Sequence, residues 1–368
     1  MSLYSEIDKT SKYKLLELDP ELLEYLTTSE RPQLILKGPR NDSKLVLCTD
    51  TKTFKVREIQ HSNSLFVMRS GANDCRLLSN VPSSWETIDI TGSTDHCDDA
   101  FRNVPVYYGA TGTNLQQHDV KPTAKALGKP KLERKRPETL AALKLRVPVS
   151  EAQFAKLWVD RVGVELTDGR LYTLSDDVVH DVLRDILVVV MKDIKSVDPA
   201  LVFAQLADAD GGSYEEPEAV VETVIKKFAV NSAVPYELAG ERIVQWLGLY
   251  TLKSHDGEEL AIDTFVDLWT AAVPVPVERL GSQLDLALLD GHFVKITPTR
   301  LTHLARSTLS AHPETRFRQL LDLKPTWELA EIAPFVDDLR SRTLTLERFV
   351  MKFAKKKTAG SRVYVTSR

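Results

Sequence analysis

Leu344-Thr345-Leu346-Glu347-Arg348-Phe349-Val350-Met351-Lys352-Phe353-Ala354-Lys355-Lys356-Lys357-Thr358-Ala359-Gly360-Ser361-Arg362-Val363-Tyr364-Val365-Thr366 is the stretch that decides how this chain is built. Leu346, Phe349, Val350 and Phe353 recur at helical spacing and predict a helix over 344–357 that ends in Lys352, Lys355, Lys356 and Lys357. Beyond Gly360 a short strand is predicted at 362–366, and a further helix over 327–339 precedes the pair. Helices followed by a basic turn and a strand have the layout of a helix-plus-wing module that meets a phosphate backbone. From Thr299 to Arg368 the chain carries roughly 14 Lys/Arg against roughly 7 Asp/Glu, a local excess of about +7 in a chain of formal net charge -4.

The cluster has two readings. Cations at a helix end favour the negative pole of its dipole, so Lys355, Lys356 and Lys357 serve stability even with no ligand. Arg362 and Arg368 lie beyond the turn and have no such duty. Lys352, Lys355, Lys356, Lys357 and Arg362 are therefore the candidate DNA-contact residues, directed at phosphate, because that helix offers no Asn, Gln and Arg set for reading base edges.

The same layout recurs upstream. Ser150 with Gln153 forms a capping box and Val149 with Phe154 a hydrophobic staple, which start a helix over 151–161. A hairpin follows, 164–166 and 171–174, on an Asp168-Gly169 turn. A second copy reads as a helix over 262–270 and a hairpin of 286–289 and 293–296 around Asp290-Gly291-His292. Three copies without close identity predict a series of winged-helix domains. The front differs: short apolar runs at 34–36, 45–47, 54–59 and 65–68 are separated by turn residues and predict a small barrel-like sheet, with a helix over 15–26 leaning on its edge. Residues 95–137 are broken by Pro and Gly and made basic by Lys121, Lys125, Lys129, Lys131, Arg134, Lys135 and Arg136. They read either as a solvated connector or as a linker that skims nucleic acid.

The expected class is α+β: a β-rich barrel-like domain over 1–94, a basic connector over 95–147, and winged-helix regions over 148–235, 236–298 and 299–368. At 368 residues, 43% hydrophobic and 27% charged, the chain can hold several cores. No apolar run approaches the roughly 20 residues of a membrane span, and the start has no apolar signal core, so an intracellular protein with no membrane contact is expected. Cys48, Cys75 and Cys97 form neither a disulfide framework nor a zinc set.

Enzymatic sites do not assemble. Gly109-Ala110-Thr111-Gly112-Thr113 lacks the phosphate-loop lysine. Asp208 and Asp210 are spaced like the start of a calcium loop, but Ser213 and Ala219 occupy its glycine and closing-acid positions. His180-Asp181 reads as a structural pair in a helix over 176–191, with metal ligation as the alternative. His96-Cys97 with Asp98-Asp99 lacks supporting ligands, and there is no Gly-x-Ser-x-Gly elbow. No catalytic residue, metal or cofactor is expected.

Two further blocks carry a family likeness. At the front stand Leu15-Leu16-Glu17-Leu18, Leu34-Ile35-Leu36-Lys37-Gly38, Val46-Leu47-Cys48-Thr49-Asp50, Thr53-Phe54-Lys55-Val56-Arg57 and Ser62-Asn63-Ser64-Leu65. At the back stand Arg316-Phe317, Trp327, Glu331-Ile332-Ala333-Pro334-Phe335-Val336, Leu339 and the close from Arg362 to Arg368. In order and spacing the chain resembles the DCC (defective in sister chromatid cohesion) family, with weaker matches at 131–137 and 169–172. That family is a subunit of the alternative clamp loader, in which a large replication-factor-C-like ATPase replaces the usual largest subunit.

The resemblance implies a non-catalytic subunit. Its front joins the large ATPase subunit and a small partner subunit in a composite barrel, and Leu34, Leu36, Val46, Leu47 and Val56 fall in the strands concerned. Its back implies winged-helix domains that bind DNA and help dock on DNA polymerase epsilon, with 149–191 as the surface for the polymerase. The sliding clamp is reached indirectly, and the location implied is the nucleus, on chromatin at replication forks. A free-standing winged-helix chromatin or transcription factor is the alternative.

Overall fold

The computed structural model describes residues 2–5, 13–38, 45–70, 74–92, 97–110, 139–209, 211–340, 344–360 and 362–367. The fold is α+β, a curled N-terminal half-barrel followed by helices, as the sequence predicts. The chain forms two compact units, Met1–Ser175 and Asp176–Arg368.

The first unit begins with β1 (Ser2–Ser5), β2 (Leu15–Glu17), α1 (Pro20–Thr28), β3 (Ile35–Lys37), β4 (Val46–Cys48), β5 (Thr53–Ser70) and β6 (Asp74–Asp89). The sheet runs β1-β6-β5-β4-β3, and β2 also pairs with β6. The predicted helix over 15–26 is thus a strand and a helix. Pro20 stands at the first helical position with Asp19 as its cap, and a residue before proline is pushed out of the helical region. Leu15, Leu16 and Glu17 are then free to pair in parallel with Ser84, Trp85 and Glu86. The predicted strands at 54–59 and 65–68 are one strand, β5, whose partner β6 the sequence reading missed. The register slips between Gln60 and Leu65, opposite Pro82, which has no N–H to give to the ladder. Leu22 of α1 closes a core with Leu47, Phe54 and Val56, where each large side chain contributes roughly 1.5–3 kcal/mol on burial.

The rest of this unit is α2 (Asp98–Phe101), β7 (Val106–Tyr107), α3 (Leu140–Arg146), α4 (Glu151–Asp160), β8 (Gly163–Glu165) and β9 (Leu171–Leu174). The Ser150 cap is present, its hydroxyl accepting from Gln153 N at 3.3 Å. The β8–β9 hairpin turns at Gly169, whose φ is 74°, a region glycine enters without strain. β9 pairs with β7 as well, in parallel, and Cys97, Phe101, Val104 and Leu143 share a core with Phe154, Leu157 and Leu171. Both ends of the expected connector are therefore built into a core, because they supply apolar side chains the helix and hairpin need; the basic residues at 111–138 lie outside the described residues. The β-sheet is tied to this module by buried polar groups. Lys37 Nζ donates to the carbonyls of Val149 at 2.6 Å and Lys144 at 2.9 Å, and its burial lowers the ammonium's pKa. Thr53 Oγ1 accepts from Ser150 N at 2.8 Å and is hydrogen-bonded to Gln153 Oε1.

The second unit opens with three helices, α5 (Asp176–Val189), α6 (Pro199–Ala209) and α7 (Glu218–Phe228), packed on one another. The boundary between the units falls inside the expected range 148–235, because the hairpin before it packs with earlier elements. Next come α8 (Gly240–Ser254), β10 (Leu260–Ala261), α9 (Ile262–Ala272), β11 (Phe293–Thr297) and β12 (Arg300–His303) in a sheet ordered β10-β12-β11. The predicted hairpin is displaced: Leu286–Leu289 is a 3-10 turn capped by the Asp285 carboxylate on Ala287 N at 2.9 Å, and the paired strands are β11 and β12. A short polar side chain that caps the following turn competes with strand pairing there.

The chain closes with α10 (Pro313–Leu323), β13 (Thr326–Glu328), α11 (Leu329–Val336), α12 (Leu346–Val350), β14 (Lys355–Ala359) and β15 (Arg362–Thr366), in a sheet ordered β13-β15-β14. Two predictions change here. Trp327 is on a strand, and the helix after it spans only Leu329–Val336. The helix predicted over 344–357 stops at Val350, and Lys355, Lys356 and Lys357 are on β14, paired antiparallel to β15. Lysine helix propensity is worth only tenths of a kcal/mol per residue, whereas a five-residue ladder satisfies backbone groups that the short helix leaves open.

A basic hairpin and an open strand edge

The C-terminal hairpin is held by a core built from every element around it. Phe317 and Leu320 of α10, Trp327 of β13, Ile332, Phe335 and Val336 of α11, Phe349 and Val350 of α12 and Val365 of β15 are all buried together. Trp327 Nε1 donates to the Leu320 carbonyl at 2.9 Å. Arg316, 4% exposed, reaches Asp338 at 2.7 Å and donates to the Phe335 carbonyl at 3.0 Å and to the Ser310 carbonyl at 2.6 Å. A buried guanidinium this fully partnered fixes α10 against the end of α11.

On that base the candidate cations divide by the pleat of β14. Lys356 faces Val365 across the ladder and so shares the core side, where its Nζ meets Glu347 of α12 at 2.6 Å. Lys355 and Lys357 face Thr366 and Tyr364 on the opposite side of the sheet. Arg362 is on that outer side too and approaches Glu328 only to 3.7 Å, with its side chain 66% exposed. Lys352 lies outside the strand, in the turn after α12, its N–H bonded to the Phe349 carbonyl at 3.1 Å. All of β14 is exposed. Among the described residues Lys355 and Lys357 make no ion pair, and being on a strand they have no helix dipole to complement. The helix-dipole explanation therefore falls away for all three lysines, and Lys356 alone has an ion pair, with Glu347, in its place.

Arg348 is a cation the sequence reading missed. It is exposed on α12, four positions before Lys352, which lies in the turn beyond the helix, and that closeness was visible in the sequence.

At the front, the five candidate partner residues also divide. Val46, Leu47 and Val56 are 2%, 5% and 8% exposed; Leu47 and Val56 belong to the sheet's core with α1, and Val46 is buried on the other face. Leu34 and Leu36 are 38% and 55% exposed, with Ile35 between them at 44%. β3 is the last strand of the sheet and pairs only with β4 among the described residues. Three consecutive exposed apolar side chains beside an unpaired backbone edge form a template for another chain.

The remaining candidates fall into structural roles. His180 stacks on Tyr250 with ring centroids 4.2 Å apart and its Nδ1 is 3.1 Å from Asp181. Cys97 is fully buried, Asp98 bonds Arg161 and Asp99 bonds Arg102, while His96 and Asp210 lie outside the described residues. Among the described residues no group of three or more His, Cys, Asp or Glu is placed to hold a metal ion, and no helix is long and apolar enough to cross a membrane.

Comparison with known proteins gives one family. The family profile of sister chromatid cohesion protein Dcc1 matches residues 13–336. The chain is 27% identical to sister chromatid cohesion protein DCC1 of Saccharomyces cerevisiae over an alignment of 399 positions that covers 100% of both. It is 22% identical to the protein of that name in Danio rerio, over 97% of this chain and 89% of the relative. The Xenopus laevis protein is 21% identical over 93% and 86%. The match runs through the open sheet, the middle helices and most of the C-terminal core, and the chain belongs to the sister chromatid cohesion protein Dcc1 family.

Proposed function

We propose that this chain is a non-catalytic scaffold and DNA-binding subunit of the alternative clamp loader, acting in the nucleus in sister chromatid cohesion. The observation that carries the DNA half is the sheet β13-β15-β14, whose outer face presents Lys355, Lys357 and Arg362 on a two-stranded wing. Helix, strand, two helices and hairpin in that order, with the first strand beside the last, is the arrangement of a winged helix. The sheet β10-β12-β11 repeats the order, with a 3-10 turn where the groove-entering helix would be. Such a module holds by fold and not by base reading, which suits a subunit that stays on DNA of any sequence.

The edge of β3 supports the partner half. The large ATPase subunit and the small subunit would continue the open sheet there and supply the nucleotide chemistry that this chain lacks, and the sliding clamp is reached through them. Docking on DNA polymerase epsilon belongs to the same reading, by the elements of 149–191.

The test is a salt titration of duplex binding by the full chain and by its Lys355→Glu/Lys357→Glu variant. Loss of two phosphate contacts should weaken binding and flatten the slope of log affinity against log salt by about 1.8. An unchanged slope removes the hairpin from the DNA interface. The free-standing transcription factor is separated by competition between random and selected duplexes, which should show no strong preference here.

A further inference from the structure

Thr358 follows Lys355, Lys356 and Lys357 directly, so cations occupy the three positions before its hydroxyl. Protein kinases that act after basic residues recognise those cations with carboxylates and hold the substrate extended, with its backbone open to the enzyme. β14 meets each requirement before any enzyme arrives. Its five residues are extended and exposed, and it is the outer strand of its sheet, so one side of its backbone has no strand partner among the described residues. Thr358 is two positions from the hairpin tip at Gly360, where pairing ends.

We propose that Thr358 is a phosphorylation site for a kinase directed by basic residues, and that phosphate at this position switches off DNA contact by the hairpin. In the transfer the Thr358 hydroxyl oxygen bonds to the γ-phosphorus of ATP, the bond to the β-phosphate oxygen breaks, ADP leaves, and the hydroxyl proton passes to the kinase's carboxylate base. Thr358 and Lys356 are two positions apart on one face of the strand. The new group carries about -1.5 to -2 charge. It draws Lys356 away from Glu347 and, from the opposite face of the same strand, sets negative charge beside Lys355 and Lys357, which weakens the attraction of the outer face for nucleic acid phosphate. The site itself is independent of the DNA reading; the switch rests on it.

The full chain is incubated with ATP and the catalytic subunit of a kinase of this specificity, and phosphate is located by mass spectrometry. Label is expected at Thr358, kept in Thr358→Ser and lost in Thr358→Ala, both tolerable at an exposed position. Duplex affinity of the phosphorylated chain near 0.1 M salt should fall on the order of tenfold, with the salt slope smaller by about 0.9, the equivalent of one phosphate contact. No phosphate at Thr358, when the same enzyme labels a free peptide of residues 352–360, overturns the site. Phosphate with affinity and slope unchanged overturns the switch, provided that Lys355→Glu/Lys357→Glu does lose binding. If that variant also keeps its affinity, the DNA reading has failed and the switch with it, while the modification site stands.

Discussion

Tyr250 shows how a single residue ties stability to pH. Its hydroxyl donates to Asp177 at 2.9 Å, and burial together with that carboxylate pushes its pKa up from 10.0 to about 12. Between those values the native state keeps a proton that the unfolded chain has lost, so stability falls as pH rises through the window. Tyr250→Phe removes this dependence, and its melting temperature should decline less steeply from about pH 10 to 12 than that of the parent. Equal slopes would show that the phenol is not held in its neutral form by the fold. Some residue roles were readable from short-range chemistry: the Ser150 cap and the Asp168-Gly169 turn involve atoms a few positions apart. The partners of Arg316 and Lys37 were not, because Asp338 is 22 positions away and Val149 is 112 positions away.

Among elements, β14 departs most from its sequence. Lys352 to Lys357 has no helix breaker, and its three closing lysines do not favour a strand; pairing with β15 decides their state. Gly360, at φ 62°, makes the turn that allows the pairing, and a side chain there would meet no atom within 4 Å. The cost of Gly360→Ala is thus backbone strain alone, about 1–2 kcal/mol, while Gly360→Asn should cost less because asparagine tolerates that region. Thermal unfolding of the two variants checks the order; equal losses would mean the turn can adopt another shape. β5 and β6 were hard to read for a related reason. A long hairpin with a slipped register has no single alternating pattern, and Pro82 reads as a break although it sits opposite the slip.

For the whole molecule, the proposed labour is divided between separate surfaces: an apolar strand edge in the first unit and a basic hairpin in the second. A crossed experiment follows. Ile35→Asp/Leu36→Asp should lose capture of the clamp-loader partners yet fold and keep duplex affinity, since both side chains are exposed. Lys355→Glu/Lys357→Glu should keep capture and lose affinity. Either variant losing both activities while its melting temperature is unchanged would reject the division. The sequence by itself determined the α+β class, the family, the strands β3 to β5, the helices α4, α5 and α9 and the concentration of positive charge at the C-terminus, because composition, periodicity and capping act over a few residues. Only the tertiary structure decided which cations of that cluster face outward, which apolar strand residues remain exposed, and that the lysines form a strand. Those outcomes depend on ladder register and on core contacts between distant segments, and no local pattern encodes either.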